Sequence, residues 1–313
     1  MVKVLLPTEA MAHHCRGVLD RAGEGTETEV LVWDIDSQET PPPAEIVVTS
    51  RPHLPSAHHR IERVEGLRHV HLLSLGYEWI LPHVGPTVGL SNSRGAIEDA
   101  TAEFGLTLIL SALREMPRIM AQADRRYWDR SFWTRSLSGS AVLVLGYGGV
   151  GSAVVARLEA FGPASVTVVA STARRHHDGR WLHGLEELPQ LLPEADVVVI
   201  ALPRTCSTEG LVDSRFLAQM PCGSLLVNIG RGAIVDHDAL SDELRSGRIG
   251  AALDVVDPEP LPPEHALWDA PHLILAPHMG GNTHETVRRA ENMAVEQVVR
   301  FAQGTPLMNI VSR

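Results

Sequence analysis

Residues 142–151 read VLVLGYGGVG, so an apolar run leads directly into the pattern G-x-G-x-x-G. A segment suited to a helix, 152–161, follows at once, and this order of strand, turn and helix favours dinucleotide binding. In such a unit Gly146 permits a tight turn, Gly148 lets the backbone approach a pyrophosphate, and Gly151 lets the helix pack on the strand. An ordinary glycine-rich turn is the alternative, which the flanking strand and helix disfavour. The predicted dinucleotide loop consists of Gly146, Tyr147, Gly148, Gly149, Val150 and Gly151.

The fold class follows from the regular spacing of apolar runs after residue 139. The first five runs start 24 to 31 residues apart, and most intervals can hold a helix. Strands that alternate with helices form parallel sheets, and near-continuous Val, Ile and Leu runs suit strands buried on both faces. The sequence therefore predicts an α/β fold with a doubly wound parallel sheet of the Rossmann type. The predicted strands are 142–145, 166–169, 197–202, 225–229, 251–253 and 273–276.

A smaller α/β unit is predicted before this sheet, because short apolar runs there are separated by segments that can hold helices. A segment rich in Ala and Leu, 96–122, predicts a long helix, which we take as the boundary between two domains. Pro117 should end or kink that helix. The last segment, 283–303, predicts another helix with one apolar side. The predicted strands of the first unit are 2–6, 30–33, 46–49 and 70–73.

Composition limits the possible function classes. The chain has 313 residues and a formal net charge of −11, and an acidic protein repels nucleic acid and anionic membranes. Cys15, Cys206 and Cys222 show no metal-type spacing, which fits a reducing compartment and argues against a disulfide framework. The longest apolar stretch, 104–113, falls short of the roughly 20 residues that span a bilayer. We therefore expect a cytoplasmic protein without a nucleic-acid or membrane partner.

Three polar residues follow successive strands of the predicted Rossmann sheet: Arg231, Glu259 and His278. Ligands of open parallel sheets bind at the carboxyl ends of the strands, where these residues would meet. An arginine binds a carboxylate bidentately, a histidine donates a proton near neutral pH, and a carboxylate orients the imidazole. A solvated arginine and a structural histidine are the alternatives. Three such residues beside a dinucleotide loop favour the reduction of a ketone group.

Four further segments carry a family resemblance: LPRTCSTEGL at 202–211, LVNIGRGAIVD at 226–236, ALDVVDPEPL at 252–261 and PHMGGNT at 277–283. With the glycine loop, they resemble the D-isomer-specific 2-hydroxyacid dehydrogenases, and among these the glyoxylate/hydroxypyruvate reductases. The resemblance covers essentially the whole chain. It implies that the protein reduces a small 2-keto acid to the D-2-hydroxy acid with NAD(P)H. The physiological keto acid stays open.

The resemblance also implies a role for individual residues. Arg231 would bind the substrate carboxylate, and His278, paired with Glu259, would be the general acid/base. Asp254 would lie near the nicotinamide carboxamide, and the backbone amides of the loop Leu75-Gly76 would hold the substrate carboxylate. Further cofactor contacts would come from Leu202, Pro203, Thr208, Ile229, Gly230 and Gly280.

The domain organisation implied by the resemblance is discontinuous. The end of the chain returns to pack on the first domain in this family. Residues 1–95 and 284–313 would therefore form a smaller, flavodoxin-like substrate domain. Residues 96–283 would form the dinucleotide-binding domain.

The choice of cofactor is predicted from the end of the second Rossmann strand. NAD-specific units place an acidic residue there to bind the ribose hydroxyls. Here Ser171, Thr172, Arg174 and Arg175 follow the strand, and no acid appears before Asp178. Hydroxyls and guanidinium groups suit a 2′-phosphate, so NADP(H) is favoured, with NAD(H) possible. Arginines that are simply solvated are the alternative, and the sequence does not choose between Arg174 and Arg175.

The segment 125–137 predicts a homodimer, because it mixes aromatic side chains with arginines. These rings would otherwise cover the start of the dinucleotide domain. The resemblance makes Trp133 a candidate substrate contact in the partner's site. The aromatic residues are Tyr127, Trp128, Phe132 and Trp133.

A metal-binding protein and a cofactor-sensing protein are the alternatives to a reductase. Histidine pairs occur at 13–14, 58–59 and 176–177, but adjacent residues rarely point at one ion, so no metal is predicted. A dinucleotide-sensing co-repressor shares the same fold and the same three polar residues. It would bind cofactor with little turnover, and a steady-state assay would distinguish it.

Overall fold

The computed structural model describes residues 1–22 and 27–311. The chain divides into two compact units. The split unit consists of Met1–Ile97 and Thr283–Arg313, and the central unit consists of Glu98–Asn282. Among the described residues, no helix combines the length and the apolar character needed to cross a bilayer. The cytoplasmic location stays a prediction.

The split unit is built on a five-stranded parallel sheet. Its strand order, β2-β1-β3-β4-β5, is that of flavodoxin-like folds. Leu6 and Val48 pack with Ala294 and Val298 of the last helix, so the end of the chain completes this core. The strands are β1 (Val2–Leu6), β2 (Thr28–Val32), β3 (Ile46–Thr49), β4 (His69–Leu72) and β5 (Gly89–Asn92). The helices cover Glu9–Ala22 and His284–Gln303, with 3-10 helices at Pro55–Arg63 and Leu81–His83.

The elements of the central unit begin immediately after Ile97. Its strands are β6 (Ala141–Leu145), β7 (Ser165–Val169), β8 (Arg174–Arg175), β9 (Trp181–Leu182), β10 (Val197–Ile200), β11 (Leu225–Asn228), β12 (Gly250–Leu253) and β13 (Leu273–Leu275). Its α-helices cover Glu98–Leu113, Met116–Asp124, Gly149–Glu159, Leu188–Leu191, Ser214–Gln219 and His237–Ser246. Its 3-10 helices cover Leu185–Glu187, Leu192–Glu194, Gly232–Ile234 and Ala266–Asp269.

The main sheet of the central unit is parallel throughout, in the order β13-β12-β11-β10-β6-β7. The sheet is covered on both faces, as β10 illustrates. Val198 and Ile200 belong to one apolar cluster, whereas Val197 and Val199 belong to the other. Successive side chains of a strand point to opposite faces, so a continuous apolar run is what two covered faces require. The predicted α/β class is confirmed.

The helix predicted over 96–122 is in fact two helices. Glu98–Leu113 and Met116–Asp124 are separated at Glu115, whose φ is +53°. Pro117 was expected to end or kink a continuous helix. It instead lies in the first turn of the second helix, where its missing N–H needs no intrahelical acceptor. The break therefore falls before the proline.

Candidate functional site

The glycine loop of the central unit joins β6 to the helix Gly149–Glu159. Gly146 has a φ of +106°, and a Cβ on it would lie 2.5 Å from the carbonyl oxygen of Ala201. A Cβ on Gly151 would lie 2.0 Å from the carbonyl oxygen of Gly146, so helix and strand are in direct backbone contact. A Cβ on Gly148, in contrast, would meet open space. The loop thus leaves room at Gly148 for a group to approach the backbone.

The start of the helix Gly149–Glu159 is suited to the binding of an anion. Gly148 is the N-cap, and the first N–H groups of a helix have no intrahelical acceptor and carry a partial positive charge. A Cβ on Gly149 would lie 2.6 Å from Cγ of Glu98, so a larger residue would displace that side chain. Open space at Gly148 and the N–H groups of the first helical turn together fit the pyrophosphate of a dinucleotide.

The segment that follows β7 forms a hairpin, which the sequence analysis did not predict. Ser171 and Thr172 are exposed, and Arg174 and Arg175 form β8. Nη1 of Arg174 donates to the carbonyl oxygen of Thr172 at 3.1 Å. All four residues predicted to contact a 2′-phosphate therefore lie close together in the chain on an exposed surface.

The loop after β10 is closed by a buried threonine. Thr208 Oγ1 donates to the Pro203 carbonyl oxygen at 2.6 Å and accepts from the Thr205 backbone N–H at 2.8 Å. Leu202 is buried at the start of the loop, and Pro203 is exposed. Thr208 therefore holds the loop in shape, and its predicted contact with the cofactor stays a prediction.

Arg231 follows β11 at the carboxyl edge of the same sheet. Its Nη1 donates to the Gly230 carbonyl oxygen at 2.7 Å, and its side chain is partly buried. A Cβ on Gly230 would lie 2.7 Å from the Leu202 carbonyl oxygen, and one on Gly232 would lie 2.0 Å from the Val256 carbonyl carbon. The glycines on either side of Arg231 thus let its loop pack against the neighbouring loops.

His278 and Glu259 form a close pair at this edge. Nδ1 of His278 lies 3.0 Å from Oε2 and 3.1 Å from Oε1 of Glu259. His278 has a φ of +56°, and its side chain is 47% exposed, against 21% for Glu259. The pairing occupies Nδ1, so Nε2 is the ring nitrogen that remains for a substrate.

Asp254 holds the turn that carries His278. It is 2% exposed, and its two carboxylate oxygens accept from the backbone N–H groups of Met279 at 2.6 Å and Gly280 at 2.9 Å. Burial raises the pKa of Asp254, and these two hydrogen bonds oppose the rise. The Asp254 carbonyl oxygen also accepts from the His278 N–H at 2.8 Å. Asp254 therefore fixes the backbone around His278.

The loop Leu75-Gly76 lies after β4 in the split unit. Asn92 Nδ2 donates to the Leu75 carbonyl oxygen at 2.9 Å, and Ser74 Oγ donates to the Gly76 carbonyl oxygen at 2.9 Å. Both carbonyl groups are thus held inside the unit. The predicted role of the two amides in binding a carboxylate stays a prediction.

A family model described as D-isomer specific 2-hydroxyacid dehydrogenase, NAD binding domain, matches residues 106–280. The chain belongs to the D-isomer specific 2-hydroxyacid dehydrogenase family. The family predicted from the sequence is therefore confirmed. The use of a nicotinamide dinucleotide, NAD(P)(H), is confirmed, while the choice between NADP(H) and NAD(H) stays a prediction.

Relatives along most of the chain agree with this assignment. Glyoxylate reductase of Aeropyrum pernix is 34% identical over 311 residues, which cover 91% of this chain and 90% of the relative. Glyoxylate/hydroxypyruvate reductase B of Pectobacterium carotovorum subsp. carotovorum is 32% identical over 268 residues, 80% of this chain and 81% of the relative. A D-isomer specific 2-hydroxyacid dehydrogenase of Xanthobacter autotrophicus Py2, solved with NADPH and MES, aligns with a TM-score of 0.76 and 27% identity, covering 99% of this chain and 98% of that chain.

One residue of this chain shapes the site but was not among the residues predicted from the sequence. Asn228, fully buried at the end of β11, accepts from the Gly230 N–H at 3.0 Å and donates to the Arg231 carbonyl oxygen at 2.9 Å. Its side chain therefore sets the turn that presents Arg231. A polar residue at the end of an otherwise apolar strand, just before a glycine, is the signal that would have identified it.

Proposed function

We propose that this chain reduces a small 2-keto acid to the D-2-hydroxy acid with NAD(P)H. The observation that carries the proposal is the His278–Glu259 pair, at 3.0 Å, on the sheet edge that also bears Arg231 and the glycine loop. A proton donor beside an anion-binding arginine and a dinucleotide loop is the set of groups that ketone reduction requires. Family membership supports the same reaction.

The residues of the chain divide the reaction between them. The nicotinamide, when bound, supplies the hydride to the carbonyl carbon. Arg231 binds the substrate carboxylate with its planar fork and orients the adjacent carbonyl group. His278 donates a proton from Nε2 to the carbonyl oxygen, while Glu259 at Nδ1 stabilises the imidazolium before transfer.

The proposed substrates are small keto acids such as glyoxylate and hydroxypyruvate, because the relatives described above are named for them. The loop Leu75-Gly76 would contribute backbone amides to the carboxylate. We accordingly propose that the split unit is the substrate domain and the central unit the dinucleotide-binding domain.

NADP(H) is the proposed cofactor. The exposed hydroxyls of Ser171 and Thr172 and the guanidinium group of either Arg174 or Arg175 supply donors for a 2′-phosphate. NADPH in the solved Xanthobacter relative is consistent with this choice.

The proposed assembly is a homodimer formed through 125–137. Trp128 is 89% exposed and Trp133 is 97% exposed in the single chain, and large exposed apolar side chains of this kind mark interfaces. Tyr127 is also exposed, and Met120 of the preceding helix extends the patch. Trp133 stays a proposed substrate contact of the partner subunit's site.

A steady-state assay tests the proposed reaction. The wild-type protein should reduce glyoxylate or hydroxypyruvate within a panel that also contains pyruvate and phenylpyruvate, with NADPH and NADH each supplied. His278→Ala should bind cofactor as tightly as wild type and lose about 10²–10⁴-fold in kcat. Tight cofactor binding without turnover of any keto acid would instead support the co-repressor alternative, which no contact described above favours.

A further inference from the structure

A hydrogen bond joins the hairpin of β8 and β9 to the glycine loop. Oη of Tyr147, the second residue of the glycine pattern, donates to Oδ2 of Asp178 at 2.7 Å. Asp178 lies in the turn between β8 and β9. We propose that this Tyr147–Asp178 latch holds the hairpin beside the dinucleotide loop, and that the held hairpin presents Arg174, not Arg175, to the 2′-phosphate of NADP(H). The inference rests on the proposed use of NADP(H) and names the residues that determine it.

The latch belongs to a larger set of contacts around the Tyr147 ring. His176 packs edge-on against the ring at 4.9 Å between centroids, and the guanidinium carbon of Arg180 lies 5.9 Å from the ring centroid. Arg180 also forms an ion pair with Glu159, the last residue of the helix that follows the glycine loop. The hairpin therefore contacts the glycine loop just before the helix Gly149–Glu159 and also the last residue of that helix.

Asp178 lies in the turn of the hairpin, beyond the strand end at which NAD-specific units carry their acidic residue, and both of its carboxylate oxygens accept hydrogen bonds. Its Oδ1 accepts from the backbone N–H of Arg180 at 2.9 Å, while its Oδ2 accepts from Tyr147. These hydrogen bonds, that of Arg180 first, hold the pKa of Asp178 well below its usual range. Asp178 therefore stays a carboxylate, with one oxygen bound to the hairpin backbone and the other to Tyr147 of the glycine loop.

The cross-strand pairs place the two arginines on opposite faces of the hairpin. Arg174 lies opposite Leu182, and Arg175 lies opposite Trp181. Directly opposed residues of an antiparallel pair share one face of the ribbon. Leu182 is fully buried and Trp181 is 50% exposed, so Arg175 lies on the outer face of the hairpin.

Arg174 is also the arginine that reaches the hydroxyl-bearing loop. Its Nη1 donates to the carbonyl oxygen of Thr172, one residue from Ser171. The guanidinium group is therefore held beside the backbone of the segment that carries the two hydroxyls, and a guanidinium group with neighbouring hydroxyls is a donor set that suits a phosphate monoester. A shift of the hairpin would separate them, and the latch opposes such a shift.

The test measures binding directly with two fragments that lack the nicotinamide. Adenosine 2′,5′-bisphosphate and adenosine 5′-monophosphate differ only in the 2′-phosphate, and isothermal titration gives a Kd for each. Arg174→Ala should raise the Kd of the bisphosphate about ten- to hundred-fold and leave that of the monophosphate unchanged. Arg175→Ala is the matched control, because it removes the same charge one residue away, and it should change both Kd values less than about threefold.

The latch is tested with Tyr147→Phe, which keeps the ring and removes only the hydroxyl. The Kd of the bisphosphate should rise about three- to tenfold with no change for the monophosphate, which also shows that the variant is folded. Asp178→Ala should have a similar effect, and the double variant should be no worse than either single variant. In titrations with whole cofactors, the same variants should raise the Kd of NADPH and leave the Kd of NADH unchanged.

Each failure has a different meaning. If the wild type binds both fragments equally, the NADP(H) proposal is wrong and the inference is overturned with it, whereas reduction of keto acids is unaffected. If the wild type prefers the bisphosphate but Arg175→Ala abolishes the preference, the assignment of Arg174 is wrong and the NADP(H) proposal stands. An unchanged bisphosphate Kd in Tyr147→Phe would overturn the latch alone.

Discussion

Acid should destabilise the split unit through His71, a buried histidine on an inner strand of its sheet. His71 lies in β4, is 1% exposed, and has Nδ1 2.8 Å from Ser91 Oγ. Ser91 Oγ also lies 2.8 Å from Nε2 of His69 and accepts from Nε2 of Gln297 at 2.9 Å. A hydroxyl has one proton and two acceptor sites, so one histidine donates to Ser91 and the other accepts. An added proton on the accepting ring would have no acceptor there.

The size of the effect follows from the environment of His71. Burial first, and then the charge of His69, lowers the pKa of His71 from 6.5 to about 3. In the unfolded chain the His71 ring is therefore protonated below about pH 6.5, whereas in the folded unit it stays neutral down to about pH 3. The contribution to stability is complete above pH 6.5 and is lost as the pH falls, at about 1.4 kcal/mol per pH unit. Between about pH 7.5 and pH 5 the loss is about 2 kcal/mol, a large share of a typical stability of about 5–15 kcal/mol.

Urea unfolding of wild type and His71→Asn across this pH range measures the effect. The difference in unfolding free energy between the two proteins should shrink by about 2 kcal/mol from pH 7.5 to pH 5, because the variant has no titrating group at this site. His13→Asn is the control for the same substitution at an exposed position. A constant difference for His71→Asn would refute the reasoning. If that variant does not fold, NMR of the wild-type ring decides, and a His71 protonated at pH 5.5 would refute it equally.

Three further predictions concern the proposed site and assembly. Arg231→Lys should lose at least about 10²-fold in kcat/KM, because an ammonium group does not replace the planar fork, and full activity in Arg231→Gln would remove Arg231 from the site. Glu259→Gln should lower kcat of reduction about tenfold or more, because His278 loses the carboxylate that orients its ring 3.0 Å from Nδ1; full activity in this variant would contradict the pairing. Light scattering at micromolar concentration should give a dimer, and Trp128→Glu should shift it towards monomer, whereas a monomeric wild type would exclude the role of 125–137.

The sheets of both units were largely predictable because their strands carry local signals. β10 and β11 are near-continuous apolar runs, and burial on both faces leaves few other residue types. β5 was missed, because Gly89–Asn92 reads GLSN and becomes a strand only through pairing with β4. The hairpin of β8 and β9 was missed for a similar reason. Its two strands have two residues each, too short for any periodicity to show.

The features of the site were likewise predictable where they depend on neighbouring residues, and not where they depend on residues distant in the chain. The glycine loop was predictable, because the backbone approach of Gly151 to Gly146 is imposed within six consecutive residues. The hydrogen bonds of Asp254 to Met279 and Gly280 join residues about 25 apart in the chain. The Tyr147–Asp178 bond spans 31 residues. Such bonds depend on which strands become neighbours, and a pattern in one segment does not contain that information.

Hydrogen bonds from buried polar side chains fix the backbone around His278 and Arg231. His278 has a φ of +56°, a conformation that costs a non-glycine residue about 1–3 kcal/mol and persists only when its surroundings impose it. Asp254 imposes it, because its backbone carbonyl and both carboxylate oxygens bind the N–H groups of residues 278 to 280. At the end of β11, Asn228 fixes the turn before Arg231, because its side chain binds the Gly230 N–H and the Arg231 carbonyl oxygen. Two buried polar side chains at strand ends thus fix the backbone from which the proposed catalytic groups project.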